Sequence, residues 1–121
     1  VIKLPHVAAV EVNGNELHIY TDMVYHNYVF KRYEIGIIII YIDMIKGCFL
    51  RIKNLCSTHP KGYDHPYGPD GGFCWGSLSS AISNALQAKE FASAVQFMIQ
   101  AIYSVDGDHP SIVKEWKEVA K

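Results

Sequence analysis

The chain has 121 residues, 50% of them hydrophobic and 19% charged, with a formal net charge of −1. That profile predicts a soluble globular protein of a single domain, residues 1–121, with a core large enough to fold unaided. The 11 Lys and Arg are scattered rather than clustered, which excludes the basic footprint of a nucleic-acid binder.

The 3 Cys, an odd number without repeated spacing, argue against a secreted disulfide scaffold and for a reducing, cytoplasmic compartment. The longest apolar run, Ile35 to Ile42 with Gly36 inside it, falls far short of the ~20 residues of a membrane span. No signal peptide is read. A first residue of Val rather than Met is expected of a processed or trimmed chain, or of an excised domain.

Val7–Val12 and Glu16–Thr21 flank Asn13-Gly14-Asn15, a hairpin signal because Asn and Gly tolerate positive φ. Val10, Val12, Leu17 and Ile19 alternate with polar residues, as in strands with one solvated face. Asp22 to Tyr33 shows no period and is expected to be a loop or wide connection. The β-branched run from Ile35 to Ile45 predicts a central strand buried on both faces. Lys46-Gly47 makes a turn into the strand Cys48–Leu55. There Phe49, Arg51 and Lys53 are expected opposite Leu50, Ile52 and Asn54.

Cys56 to Gly76 is dense in Pro and Gly, a long irregular segment of the kind that tends to carry function. Beyond it the period becomes helical: Leu78, Ile82 and Leu86, then Phe91, Val95, Met98, Ile102 and Val105. Lys89-Glu90 marks a break between two helices. Gly107 is expected to stop the second. Asp108 or His109 caps a third that starts at Pro110 and buries Val113, Trp116 and Val119 or Ala120. The predicted fold class is therefore α+β: a four-stranded antiparallel meander, a Cys-bearing loop, then two to three C-terminal helices on one face.

The segment "HPYGPDGGFCWG", His65 to Gly76, holds the chemistry. Gly71, Gly72 and Gly76 clear space around the Cys74 sulfur. A helix starting near Ser77 would aim its free N–H groups at it and favour thiolate, which suits a nucleophile. The plainer reading packs Cys74 between Phe73 and Trp75 as a small apolar residue. Tyr63 and Tyr67 would shield the turn or line its cleft. A metal centre is a further alternative: Cys56, His59, His65 and Cys74 make a two-Cys, two-His set that zinc accepts, although only Cys56-x-x-His59 has ligand-like spacing. Cys48 lies in a strand and is expected in the core.

The order of these parts resembles the ubiquitin-conjugating superfamily, including its prokaryotic-type and divergent relatives. "YEIGIIIIYID" resembles the family's Tyr-x-x-Gly strand, His65-Pro66 the start of its His-Pro-Asn turn, and "PDGGFC" the segment that delivers its nucleophile. "IQAIYSVDGDHP" resembles its helix end and the acidic loop before a Pro. The resemblance implies an enzyme that holds a ubiquitin-like modifier as a thioester on Cys74 and passes it to an amine. Its partners would be an activating-enzyme-like protein and the modifier, with no nucleic acid, membrane or cofactor. His65 would pin the loop through its ring, and Asp108 or His109 would orient the incoming amine and accept its proton; an N-cap role is compatible with that.

The chain departs from the family pattern in several places. Tyr67 replaces the Asn of the turn, and His65 to Cys74 is one residue shorter than usual. Met44–Gly47 replaces a Pro-rich segment, and the N-terminal helix is missing or reduced to "VIKLPH". These departures suit a second reading, a catalytically inactive module of the same fold that binds a ubiquitin-like protein or scaffolds a complex.

Overall fold

A computed structural model describes residues 4–28, 31–66, 72–73, 75–103 and 116–119. Four strands, β1 (Val7–Asn13), β2 (Glu16–Tyr28), β3 (Lys31–Asp43) and β4 (Cys48–Asn54), form an antiparallel meander in that order. A short 3₁₀ turn, Gly76–Leu78, leads into α1 (Ser79–Gln87) and α2 (Phe91–Tyr103). The α+β class and the meander agree with the sequence. Among the described residues no helix is long and apolar enough to cross a membrane.

The register explains the core. Val10, Ile19, Ile40 and Ile52 stand opposite one another in a row that crosses all four strands. Ile19, Ile40 and Ile52 are buried, together with Ile35, Ile38 and Ile42, beneath Ile82 and Leu86 of α1 and Val95, Met98 and Ile102 of α2. Each such side chain contributes about 1.5–3 kcal/mol when removed from water. The parallel row on the other face is Glu11, His18, Tyr41 and Arg51. Ile39 also lies outside the core cluster yet is only 3% exposed, with Tyr20 and Lys53 as cross-strand neighbours. At this residue β3 is buried on both faces, as its composition requires.

Three expectations are corrected. Asp22–Tyr28 and Lys31–Tyr33 are strand and not loop: β2 and β3 run on as an antiparallel pair, with Tyr25 opposite Glu34 and His26 opposite Tyr33. Two irregularities, between Tyr20 and Met23 and between Val24 and Tyr25, break the period-two pattern while keeping Thr21, Val24 and His26 buried. The Thr21 hydroxyl accepts the Ile38 N–H at 3.0 Å. The second correction is in β4, where Tyr41 pairs with Arg51 but Ile42 pairs with Phe49. Leu50 is thus the extra residue of a bulge. Phe49 packs on the core with Ile52, while Arg51 and Lys53 stay exposed.

The third correction concerns the C-terminal stripe. Trp116 is buried as expected, but Lys117–Val119 form a strand, β5, instead of a helical turn. They pair with Arg32, Tyr33 and Glu34, a part of β3 that β4 does not reach. The open backbone groups there favour a strand over a helix. The expected start of a third helix at Pro110, with Val113 on its stripe, lies outside the described residues, as do Val105, Gly107 and Ala120.

The break between α1 and α2 falls at Lys89, whose φ is +62°. Its ammonium donates to the Met44 and Ile45 carbonyls at 2.9 and 2.5 Å, tying the helix junction to the β3–β4 turn. Gly47 completes the fit, since a Cβ there would lie 2.6 Å from the Leu86 carbonyl oxygen. Lys89→Ala is expected to lower stability by about 1–2 kcal/mol in urea denaturation. Lys89→Gly, which loses the ammonium but suits the positive φ, should recover about 1 kcal/mol of that.

Candidate functional site

The segment after β4 is held by side chains that bond to backbone. Asn54 is the hub. Its side-chain amide donates to the Ile35 carbonyl at 2.7 Å and to the Asp64 carbonyl at 3.0 Å. Its amide oxygen accepts the Cys56 N–H, and its own backbone N–H donates to the Asp64 carboxylate, both at 2.9 Å. This close approach requires Gly36: with φ at +136°, a Cβ there would lie 2.2 Å from Asn54 Oδ1. The Thr58 hydroxyl donates to the Glu34 carbonyl at 2.6 Å and accepts the Lys117 N–H at 3.1 Å, so β5 and the loop share one anchor. His59 stacks on Tyr63 with ring centroids 4.2 Å apart and meets Trp116 edge-on at 5.3 Å.

Asp64 therefore delivers His65 to a fixed place. His65 is 0% exposed, and its Nε2–H donates to the Ile102 carbonyl near the end of α2 at 2.9 Å. That bond sets the tautomer, because a carbonyl can only accept. The His26 ring lies perpendicular to it, centroids 5.4 Å apart. Burial lowers the pKa of His65 from 6.5 to about 4, against the opposing pull of the Ile102 bond. Burial, with the neighbouring His65 as a second cause, lowers His26 to about 3. Both rings are neutral at pH 7. A histidine so enclosed positions backbone instead of shuttling protons.

Aromatic contacts run outward from His65. Phe73 lies 4.8 Å from it, Trp75 lies 4.3 Å from Phe73, and Phe49 of β4 meets Trp75 edge-on at 5.0 Å. The residues on both sides of position 74 thus rest against the core. Cys74, Asp108 and His109 lie outside the described residues, as do Tyr67, Gly71 and Pro110. Of the four residues picked out for catalysis, only His65 is placed.

The other thiols are Cys48, half-buried at the start of β4 rather than sealed in the core, and Cys56, which is exposed. Cys56, His59 and His65 form no cluster able to share a metal ion, and among the described residues no three His, Cys, Asp or Glu do. In His59, Nδ1 accepts the Lys61 N–H at 3.0 Å.

Sequence reasoning missed Asn54, Asp64, Gly36 and His26 as parts of this site. Asn54 reaches back 19 positions to Ile35 and forward 10 to Asp64, so no local pattern announces it. Comparison with known proteins finds no matching family model, no matching curated protein and no matching solved structure.

Proposed function

We propose that this chain is a conjugating-type acyl carrier that holds the C-terminus of a ubiquitin-like protein on Cys74. The observation that carries the reading is the chain of contacts from Ile102 through His65 and Phe73 to Trp75. It fixes the two neighbours of Cys74 on a rigid sheet-and-helix platform, which is what a nucleophile must have if a second protein is to reach it. The resemblance of "HPYGPDGGFC" to the family's active-site segment supplies the chemistry.

In the first step the Cys74 thiolate attacks the thioester carbonyl of an activating enzyme. A new C–S bond forms, and the enzyme's thiolate leaves. In the second step a neutral amine attacks the carrier thioester, its proton passes to a base, and the Cys74 thiolate departs as the amide forms. Asp108 or His109 would be that base, and the carrier itself would need no cofactor. The compartment implied is the cytoplasm, where the thiol stays reduced.

The second reading, a binding module of the same architecture, is favoured by Tyr67 at the place of the turn's Asn, since a phenol supplies no amide donor. One experiment separates the two. The chain is incubated with ATP, an activating enzyme and a ubiquitin-like protein, then run with and without reductant. The carrier gives an adduct that reductant removes, that is absent in Cys74→Ala, and that resists reductant in Cys74→Ser, where an ester replaces the thioester. Noncovalent binding without any adduct would establish the module.

A further inference from the structure

β4 pairs with β3 only from Ile38 to Asp43, which leaves one side of Arg32–Glu34 open to a further strand. β5 fills it with three residues: Val119 stands opposite Arg32, Glu118 opposite Tyr33 and Lys117 opposite Glu34. The pairing is matched in charge, since Lys117 faces Glu34 and the Glu118 carboxylate lies 3.3 Å from the Lys31 ammonium. Lys31 and Glu118 are 59% and 54% exposed, so their ion pair selects a register and adds little strength. Trp116 does most of the holding. It is 3% exposed, shares the buried cluster with Tyr33 and Ile35, and meets His59 edge-on. Its attachment is nevertheless incomplete. The indole Nε1 is buried without a hydrogen-bond partner among the described residues. Leaving that donor unpaired offsets part of what burying the ring gains.

We infer that the Arg32–Glu34 edge and the Trp116 pocket form a strand-addition site for a peptide partner, and that Trp116–Val119 occupies it in cis as a stand-in. The partner is an extended segment with the same chemistry: an aromatic for the pocket, then a cation to face Glu34 and an anion to reach Lys31. Strand addition takes its affinity from backbone hydrogen bonds and its specificity from side-chain pockets. Both are defined here because the chain fills them with its own Trp-Lys-Glu-Val. The stand-in is a weak one: three paired residues, the Lys117 N–H on the Thr58 hydroxyl, and an indole with an unmet donor. Its tether, residues 104–115, gives it an effective concentration on the order of mM. A partner competes with that concentration and not with the stability of the whole fold, since β1 to β4 pair with one another without β5. The inference does not depend on Cys74.

The test titrates the full chain against a fluorescein-labelled synthetic peptide of residues 112–121, followed by anisotropy. The peptide should bind the Trp116→Ala chain at least about tenfold tighter than the unmodified chain, whose own strand competes. It should also raise the melting temperature of that variant. The same peptide with Ala in place of its Trp should bind neither chain. Should Trp116→Ala not fold, Lys117→Pro replaces it, because residue 117 is exposed and proline removes the N–H that Thr58 accepts while keeping the indole. As a check that needs no substitution, the amides of Lys117–Val119 should exchange well before those that join β3 to β4 around Ile40 and Ile52. Equal affinity for the closed and opened chains, binding that survives loss of the peptide's Trp, or β5 amides that exchange only together with the β3–β4 ladder would overturn the inference. So would a mass of twice 13.6 kDa on concentrating the chain, since the occupant would then be the strand of a second copy.

Discussion

Gly36→Ala is expected to cost about 3–5 kcal/mol. Two penalties combine. An L-residue at φ +136° is strained by about 1–3 kcal/mol. The added Cβ must also displace the Asn54 side chain, whose oxygen would stand 2.2 Å away. Displacing it strands the buried Ile35 carbonyl and the Cys56 N–H, each a loss of about 1–3 kcal/mol. The claim can be separated from a general dislike of alanine by a double-mutant cycle in urea. Asn54→Ala should cost about 2–4 kcal/mol alone, and in its background Gly36→Ala should cost markedly less than in the unmodified chain. Strict additivity would mean that the two residues do not act as one joint.

Stability should fall steeply between pH 6.5 and pH 4, driven by His26 and His65. The sign follows from where the protons bind. Unfolded, each imidazole has a pKa near 6.5; folded, His65 lies at about 4 and His26 at about 3. Between those limits the unfolded chain binds more protons than the native one, so stability rises with pH and is fully present above 6.5. It is lost as pH falls from 6.5 toward the folded values and then levels off. His65 alone accounts for about 3 kcal/mol, and with His26 adding to it the slope near pH 5 is steeper than either ring gives alone.

The cause is structural. His26 Nε2 is buried without a hydrogen-bond partner among the described residues, and its ring meets the His65 ring at a right angle with centroids 5.4 Å apart. Denaturation curves at a series of pH values should show His26→Phe losing about half of that slope, with exposed histidines and carboxylates cancelling in the difference. Parallel curves for the two proteins would refute the assignment.

The parts of the fold that could be read directly are those where a local pattern and its tertiary use coincide. Asn13-Gly14 turns the first hairpin, the isoleucines of β3 fill the middle of the sheet, and Lys89 separates two helices whose apolar stripes face the core. The misreadings lie where tertiary structure shifts a local phase. Two bulges hid the continuation of β2 past Asp22, and one bulge at Leu50 moved Phe49 to the core side. Lys117–Val119 form a strand only because β4 stops short of Arg32–Glu34, which no pattern in their own sequence can report. The candidate site divides in the same way. His65-Pro66 and its neighbours are legible as a motif. Asn54 and Gly36, which fix where that motif sits, act over separations that only the folded chain brings together.

The most direct check on the carrier mechanism is a brief pulse of iodoacetamide on the native protein at neutral pH, followed by peptide mass mapping of the three thiols. The mechanism predicts that Cys74 is alkylated faster than exposed Cys56 and half-buried Cys48, with an apparent pKa below the ~8.5 of a free thiol. Labelling of Cys74 only after denaturant is added would contradict it and leave this architecture without a nucleophile.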